Sequence, residues 1–176
     1  MKAIYRTVLL SMLILLFACG IKGENYSDMQ PPFKLEEYFD GKVKAWGIVQ
    51  DTSGNIVNRF DVVIEGTRSG DKITLDELFT YYDDGRTETR VWEITKIDDL
   101  HYEGTAGDIV GTAKGRAYGN ALQWTYQMDV PVDDTTYRLT FDDWIWAMND
   151  GVIVNRSYLK KFGFTVAEVT IFMQRQ

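Results

Sequence analysis

From residue 43 to residue 173 the chain is a succession of short runs in which apolar and polar residues alternate, most of them closed by turn chemistry. Alternation with period two sends successive side chains to opposite faces of a strand. The runs cover residues 43–51, 56–65, 72–82, 87–97, 100–107, 108–117, 121–130, 137–148, 152–159 and 164–173. Between them stand Thr52-Ser53-Gly54-Asn55, Asp83-Asp84-Gly85, Gly119-Asn120 and Asn149-Asp150-Gly151, residues that reverse a chain readily. Short strands at roughly 8–12-residue spacing predict an antiparallel sandwich or barrel, and closure of a continuous meander removes its two exposed edges. The expectation is an all-β, antiparallel up-and-down β-barrel of about 8–10 strands. A short N-terminal helical turn precedes it, where apolar residues fall at Phe33, Leu35, Tyr38 and Phe39. Glycines recur at 104, 107, 111, 115 and 119, but interior glycines cost a helix about 1 kcal/mol each. That stretch therefore reads as strand, its small residues permitting a bend or the close approach of a ligand or neighbouring backbone.

The amino terminus has a different logic. Lys2 and Arg6 precede an apolar run over residues 8–17, too short to span a bilayer but suited to a secretory signal. The run ends in Leu16-Phe17-Ala18-Cys19-Gly20, which resembles the bacterial lipobox, where a signal peptidase cuts before the cysteine and the thiol is lipidated. The resemblance implies a signal peptide over residues 1–18 and membrane attachment through a lipid anchor at Cys19. The residues that follow read as a polar tether over residues 19–32, ending in Pro31-Pro32, and then one barrel domain over residues 33–176. Cys19 is the only cysteine, so no intramolecular disulfide forms. Each acyl methylene buried in a bilayer contributes about 0.8 kcal/mol, so several chains hold firmly. In similar lipoproteins an aspartate after the cysteine commonly marks inner-membrane retention; Gly20 stands there instead, which implies the outer membrane, facing the periplasm.

Composition removes several classes of function. With 19 Lys and Arg against 26 Asp and Glu, the formal charge is −7 and no basic stripe is present, which argues against nucleic acid as a partner. GTAKGRAYG lacks the Gly-Lys-Ser/Thr ending that reaches phosphate and Mg²⁺, so nucleotide is not expected. One histidine, His101, and one cysteine cannot make a zinc site, and no nucleophile has a base at motif spacing. Asp83-Asp84, Asp98-Asp99 and Asp133-Asp134 border turns, where Asp bonds to nearby backbone. No catalytic residue, metal or cofactor is assigned.

The chemistry concentrates in the hairpin of residues 140–164. Trp144 and Trp146 share one strand face, while the adjacent Asp142 and Asp143 point to opposite faces and cannot act together as a glycosidase pair. Trp144, Trp146, Asp142 and Asn155 are the candidate ligand contacts. The turn admits two registers. A two-residue turn at Asp150-Gly151 pairs Met148 with Ile153 and places Arg156 on the face of Asp143, diagonally adjacent and able to form a structural ion pair. A three-residue turn pairs Met148 with Val152 and sets Arg156 opposite Trp144. The first is favoured, because it gives a buried arginine a countercharge.

Over nearly all of the chain beyond the leader, EEYFDGKVKAWGIVQD, TLDELFTYYDDG, YEGTAGDIVGTAKGRAYGNALQW and FDDWIWAMNDGVIVNRS resemble the bacterial lipoprotein family DUF3833, domain of unknown function 3833. The resemblance implies no established activity, and a lipid-related role only by association. More remotely, Phe39-Asp40-Gly41 followed by Trp46-Gly47 is similar to the start of a lipocalin, with a spacing that departs from Gly-X-Trp. The favoured function is a lipid-anchored periplasmic module that binds an apolar ligand such as a fatty acid or lipid. A structural or interaction protein of the envelope with a packed barrel is the alternative, and a carboxylate-dependent enzyme the weakest reading.

Overall fold

The computed structural model describes residues 20–132 and 134–176, so the leader and Cys19 lie outside the described residues. A 3-10 turn at Gly23–Tyr26 and a one-turn helix α1 at Leu35–Tyr38 lead into ten strands. These are β1 (Gly41–Asp51), β2 (Ile56–Ser69), β3 (Lys72–Tyr81), β4 (Thr87–Lys96), β5 (His101–Ala106), β6 (Ile109–Tyr118), β7 (Ala121–Val132), β8 (Thr135–Ala147), β9 (Val152–Lys161) and β10 (Phe164–Arg175). Each strand pairs antiparallel with its neighbours in sequence, and β10 returns to pair with β1 from Val43↔Arg175 to Asp51↔Ala167. The up-and-down barrel is thus closed, at the upper end of the expected strand number.

Alternation decides which side chains enter. Ala45, Val62, Leu75, Trp92, Trp124, Phe141, Ile153 and Met173 are buried inside, while their chain neighbours face outward. The two ends of the barrel differ. One end gathers the start of β1 and the β2–β3, β4–β5, β6–β7 and β8–β9 turns, and the N-terminal segment crosses it. The Phe33 amide donates to the Gly119 carbonyl at 2.8 Å and the Tyr38 hydroxyl to the Gly151 carbonyl at 3.1 Å. Phe33, Leu35, Tyr38 and Phe39 are all buried beneath it. Glu36 is buried with them, 3% exposed at its side chain, and takes a hydrogen bond from Tyr102 (2.6 Å) and an ion pair from Lys96 (2.9 Å). Burial opposes ionisation of Glu36, but these two donors more than offset it and hold its carboxyl below the usual range.

The glycine-rich stretch serves the packing of this closed half. A Cβ at Gly115 would come within 2.4 Å of the Trp124 ring, and one at Gly104 within 2.8 Å. The close approach anticipated there is made by the chain's own indole, which meets Trp92 edge to face at 5.6 Å.

The β8–β9 turn corrects the favoured register. Met148 N donates to Val152 O at 2.8 Å, Asp150 and Gly151 both have positive φ, and Trp144 pairs with Arg156 and Ala147 with Ile153. The loop has three residues, and Asp143 and Arg156 lie on opposite faces. Arg156 points outward, 3.5 Å from Glu168 and 3.3 Å from the Thr170 hydroxyl. The two-residue register would have carried the guanidinium inside. The observed one places Ser157 and Asn155 there instead, and avoiding the desolvation of a cation outweighs the ion pair it forgoes.

Glu36→Ala should destabilise the protein by about 1–3 kcal/mol in urea unfolding, because the Tyr102 hydroxyl loses its buried acceptor. The cost stays below that of a fully buried pair, since Lys96 keeps a second partner in Asp99 at 3.3 Å.

Candidate functional site

The other half of the barrel is hollow. A cavity of about 570 Å³ runs from the middle of the barrel to the end formed by the β1–β2, β3–β4 and β7–β8 turns. Ala45, Val49, Phe60 and Val62 from β1 and β2, with Val169, Ile171 and Met173 from β10, make one continuous apolar wall. Phe79, Trp92, Tyr126, Met128 and Phe141 extend it round the barrel. Tyr126 stacks on Phe141 at 4.8 Å and meets Trp92 edge to face at 5.4 Å, so the aromatic surface is held in one arrangement. Near the mouth the Arg86 guanidinium lies 3.6 Å from the Tyr81 ring centroid, and the Tyr81 hydroxyl donates to Glu88 at 3.1 Å.

Opposite the apolar wall the cavity is polar. Glu77 on β3 is the direct neighbour of Arg90 on β4. Arg90 turns to Asp108, donating from Nε at 2.9 Å and from Nη2 at 2.6 Å to the same carboxylate oxygen, with a longer 3.2 Å contact from Nε to the other. Its Nη2 also lies 3.6 Å from the Met128 sulfur. Asp143 on β8 faces inward beside Trp124 and accepts a hydrogen bond from the Ser157 hydroxyl on β9.

Glu77 and Asp143 retain partial surface, but that surface faces the cavity rather than open water. Burial is accordingly the largest influence on both. It raises Glu77 to about 7, with Arg90 pulling downward and Asp108 pushing up. Asp143 also rises to about 7, burial and Asp142 prevailing over the Ser157 hydrogen bond and the charge of Arg90. Buried Tyr126 is pushed well above its ordinary value, first by desolvation and then by Asp143.

The residues singled out in the sequence fall elsewhere. Trp144 and Trp146 share a face, as expected, but it is the outer one. Their rings lie 6.3 Å apart, and Tyr26 of the 3-10 turn sits 6.0 and 6.1 Å from them, with Tyr118 stacked on Trp144 at 6.1 Å. Part of the segment read as a tether is therefore docked on the barrel wall. Asp142 also faces outward, bound by Lys160 at 2.5 Å and Gln123 at 2.7 Å. Asn155 faces inward but lies in the packed half, where its amide donates to the Trp144 carbonyl at 3.3 Å. Of the hairpin, Asp143, Phe141, Ser157 and Leu159 line the cavity. Glu77, Arg90 and Asp108 went unnoticed, although Glu77 and Arg90 sit in the apolar phase of their strands. Residues 73, 75, 77 and 79 read Ile, Leu, Glu, Phe, and residues 90, 92 and 94 read Arg, Trp, Ile. A charge on the inward phase was the available signal.

The family DUF3833, proteins of unknown function, matches residues 13–175, and the chain belongs to it. No curated protein matches the chain.

Two carboxyls that take up protons on folding make stability depend on pH. Their values in the folded protein lie above those of the unfolded chain, so their contribution is fully present below about pH 4 and is lost as pH rises through about 7. Paired carboxylates such as Glu36 and Asp61, which are shifted downward, titrate below this window. The melting temperature should be higher at about pH 5.5 than at about pH 8, and Glu77→Gln with Asp143→Asn should flatten the difference in calorimetry.

Proposed function

We propose that this DUF3833 member is a lipid-anchored binding protein of the cell envelope, holding an apolar ligand such as a fatty acid or other lipid inside its barrel. The observation that carries the reading is the cavity, about 570 Å³ in volume and walled mainly by aliphatic and aromatic side chains. That size lies within the roughly 300–1,000 Å³ range of sites for small molecules. A protein working only through its outer surface has no need of such a space, and filling it with large side chains would add stability. This favours the binding module over the packed-barrel alternative. For a carboxylate-dependent enzyme the observations in favour are the two buried acids Glu77 and Asp143 alone. The lipobox-like segment ending at Cys19 and Gly20 supports attachment to the outer membrane facing the periplasm.

Native mass spectrometry of protein extracted from membranes should reveal a non-covalently held lipid, and Val169→Trp, which fills the apolar wall, should remove it. An empty parent protein would return the argument to the interaction-protein reading. Cys19→Ser should shift the protein from the membrane to the soluble fraction after signal cleavage, because the apolar leader is too short to span a bilayer. A mutant that fractionates with the membrane like its parent would remove the anchor.

A further inference from the structure

The apolar wall admits many molecules, so the polar wall must distinguish among them. Besides Arg86, Glu88 and Asp129 at the mouth, four charged side chains stand there, Glu77, Arg90, Asp108 and Asp143, and three are acidic. The single arginine among them is committed to Asp108 through two short hydrogen bonds. Glu77 accepts no hydrogen bond from any described residue. Asp143 accepts only that of Ser157, and the Tyr126 hydroxyl has no partner among the described residues. The cavity therefore offers unused acceptors, one neutral donor in the Tyr126 hydroxyl and, with Arg86 at the mouth paired to Asp84 and Glu88, no unpaired cation among the described residues. A carboxylate or phosphate entering here would meet like charge in a place where water screens little. Arg90 could answer it only by giving up Asp108, leaving that acid without its partner.

We infer that the ligand's polar end is a cationic amine, seated beside Glu77 and Asp143, with its hydrocarbon part against the apolar wall of β1, β2 and β10. This deepens the binding reading above and rests on it. An ammonium group has three donors and no acceptor, matching a site whose free capacity is mostly acceptor, in the carboxylate oxygens and the lone pairs of the Tyr126 phenol. Its charge supplies the compensation that the chain itself does not give the two acids. A free fatty-acid anion, though it would suit the apolar wall, is selected against by the polar one.

Decylamine, decanol and decanoate separate the possibilities, since they share a chain and differ in the head. Each is titrated into the full chain held in amphipol at about pH 8, followed by tryptophan emission, because Trp92 lines the cavity. The amine should bind about tenfold or more tightly than the alcohol, with decanoate weakest. Lowering the pH to about 5.5 should weaken the amine by a similar factor and leave the alcohol unchanged. The amine keeps its charge over this range, while Glu77 and Asp143 take up protons. Arg90, Asp108, Tyr126, Ser157 and Asp142 surround these two acids, and Arg90 is charged throughout the range.

Glu77→Gln should bring the amine down to the affinity of the alcohol, with Asp143→Asn as a second variant should the first not fold. If alcohol or decanoate binds as well as the amine, the head-group inference fails and the binding reading stands. If none of the three binds and no lipid co-purifies, the binding reading fails as well.

Discussion

Closing ten strands sets a circumference, and the circumference sets an interior that the chain must either fill or leave open. Barrel diameter grows with strand number, and about eight strands already enclose all that side chains comfortably occupy. Here ten strands close edge to edge. The surplus is handled unequally along the axis. At one end the N-terminal segment and Trp124 fill the space, with Trp124 pressed between Gly104 and Gly115 and Phe33 to Phe39 laid across the opening. At the other end the aromatic rings lie along the wall, and among the described residues no segment is laid across the opening. The hollow follows from that division.

The polar groups divide in the same way. At the filled end the buried acid Glu36 has two donors and remains ionised. In the hollow half, Glu77 and Asp143 have too few donors between them, and burial presses each toward its neutral form. Two environments within one barrel thus move chemically similar side chains in opposite directions. Glu36 and, within the cavity, Asp108 are satisfied by the chain itself. Glu77 and, beyond its one bond from Ser157, Asp143 are not, which is what separates a packing element from a group available to something else.

Much of the fold was legible because closure rewards strict alternation. The runs around Val43, Leu75, Trp92 and Trp124 each give the inward phase directly, and the turn clusters separate them. The hairpin was harder. Its turn, Asn149-Asp150-Gly151, suits two registers, and the turn itself does not choose between them; β7 fixes Asp143 inward, and the choice falls to which residue β9 presents beside it, the small Ser157 being far cheaper to bury than the Arg156 guanidinium. Trp144 and Trp146 misled for a related reason. Aromatic residues on one face imply burial, but alternation does not say whether the cover is the barrel interior or, as here, Tyr26 arriving from outside. The site residues that escaped notice, Glu77, Arg90 and Asp108, are distributed over β3, β4 and the β5–β6 turn, and only the folded barrel brings them together with Asp143 of β8.

The docking of the 3-10 turn bears on how the molecule stands in its surroundings. Gly23 lies against the Tyr118 ring and Tyr26 beside Gly119, at the filled end of the barrel. Only residues 20–22 separate that fixed point from Cys19, a reach of roughly 10–14 Å even when fully extended. An acyl anchor at Cys19 would therefore act as a short stalk rather than a leash. It would hold the filled end of the barrel toward the bilayer and turn the cavity mouth away from it.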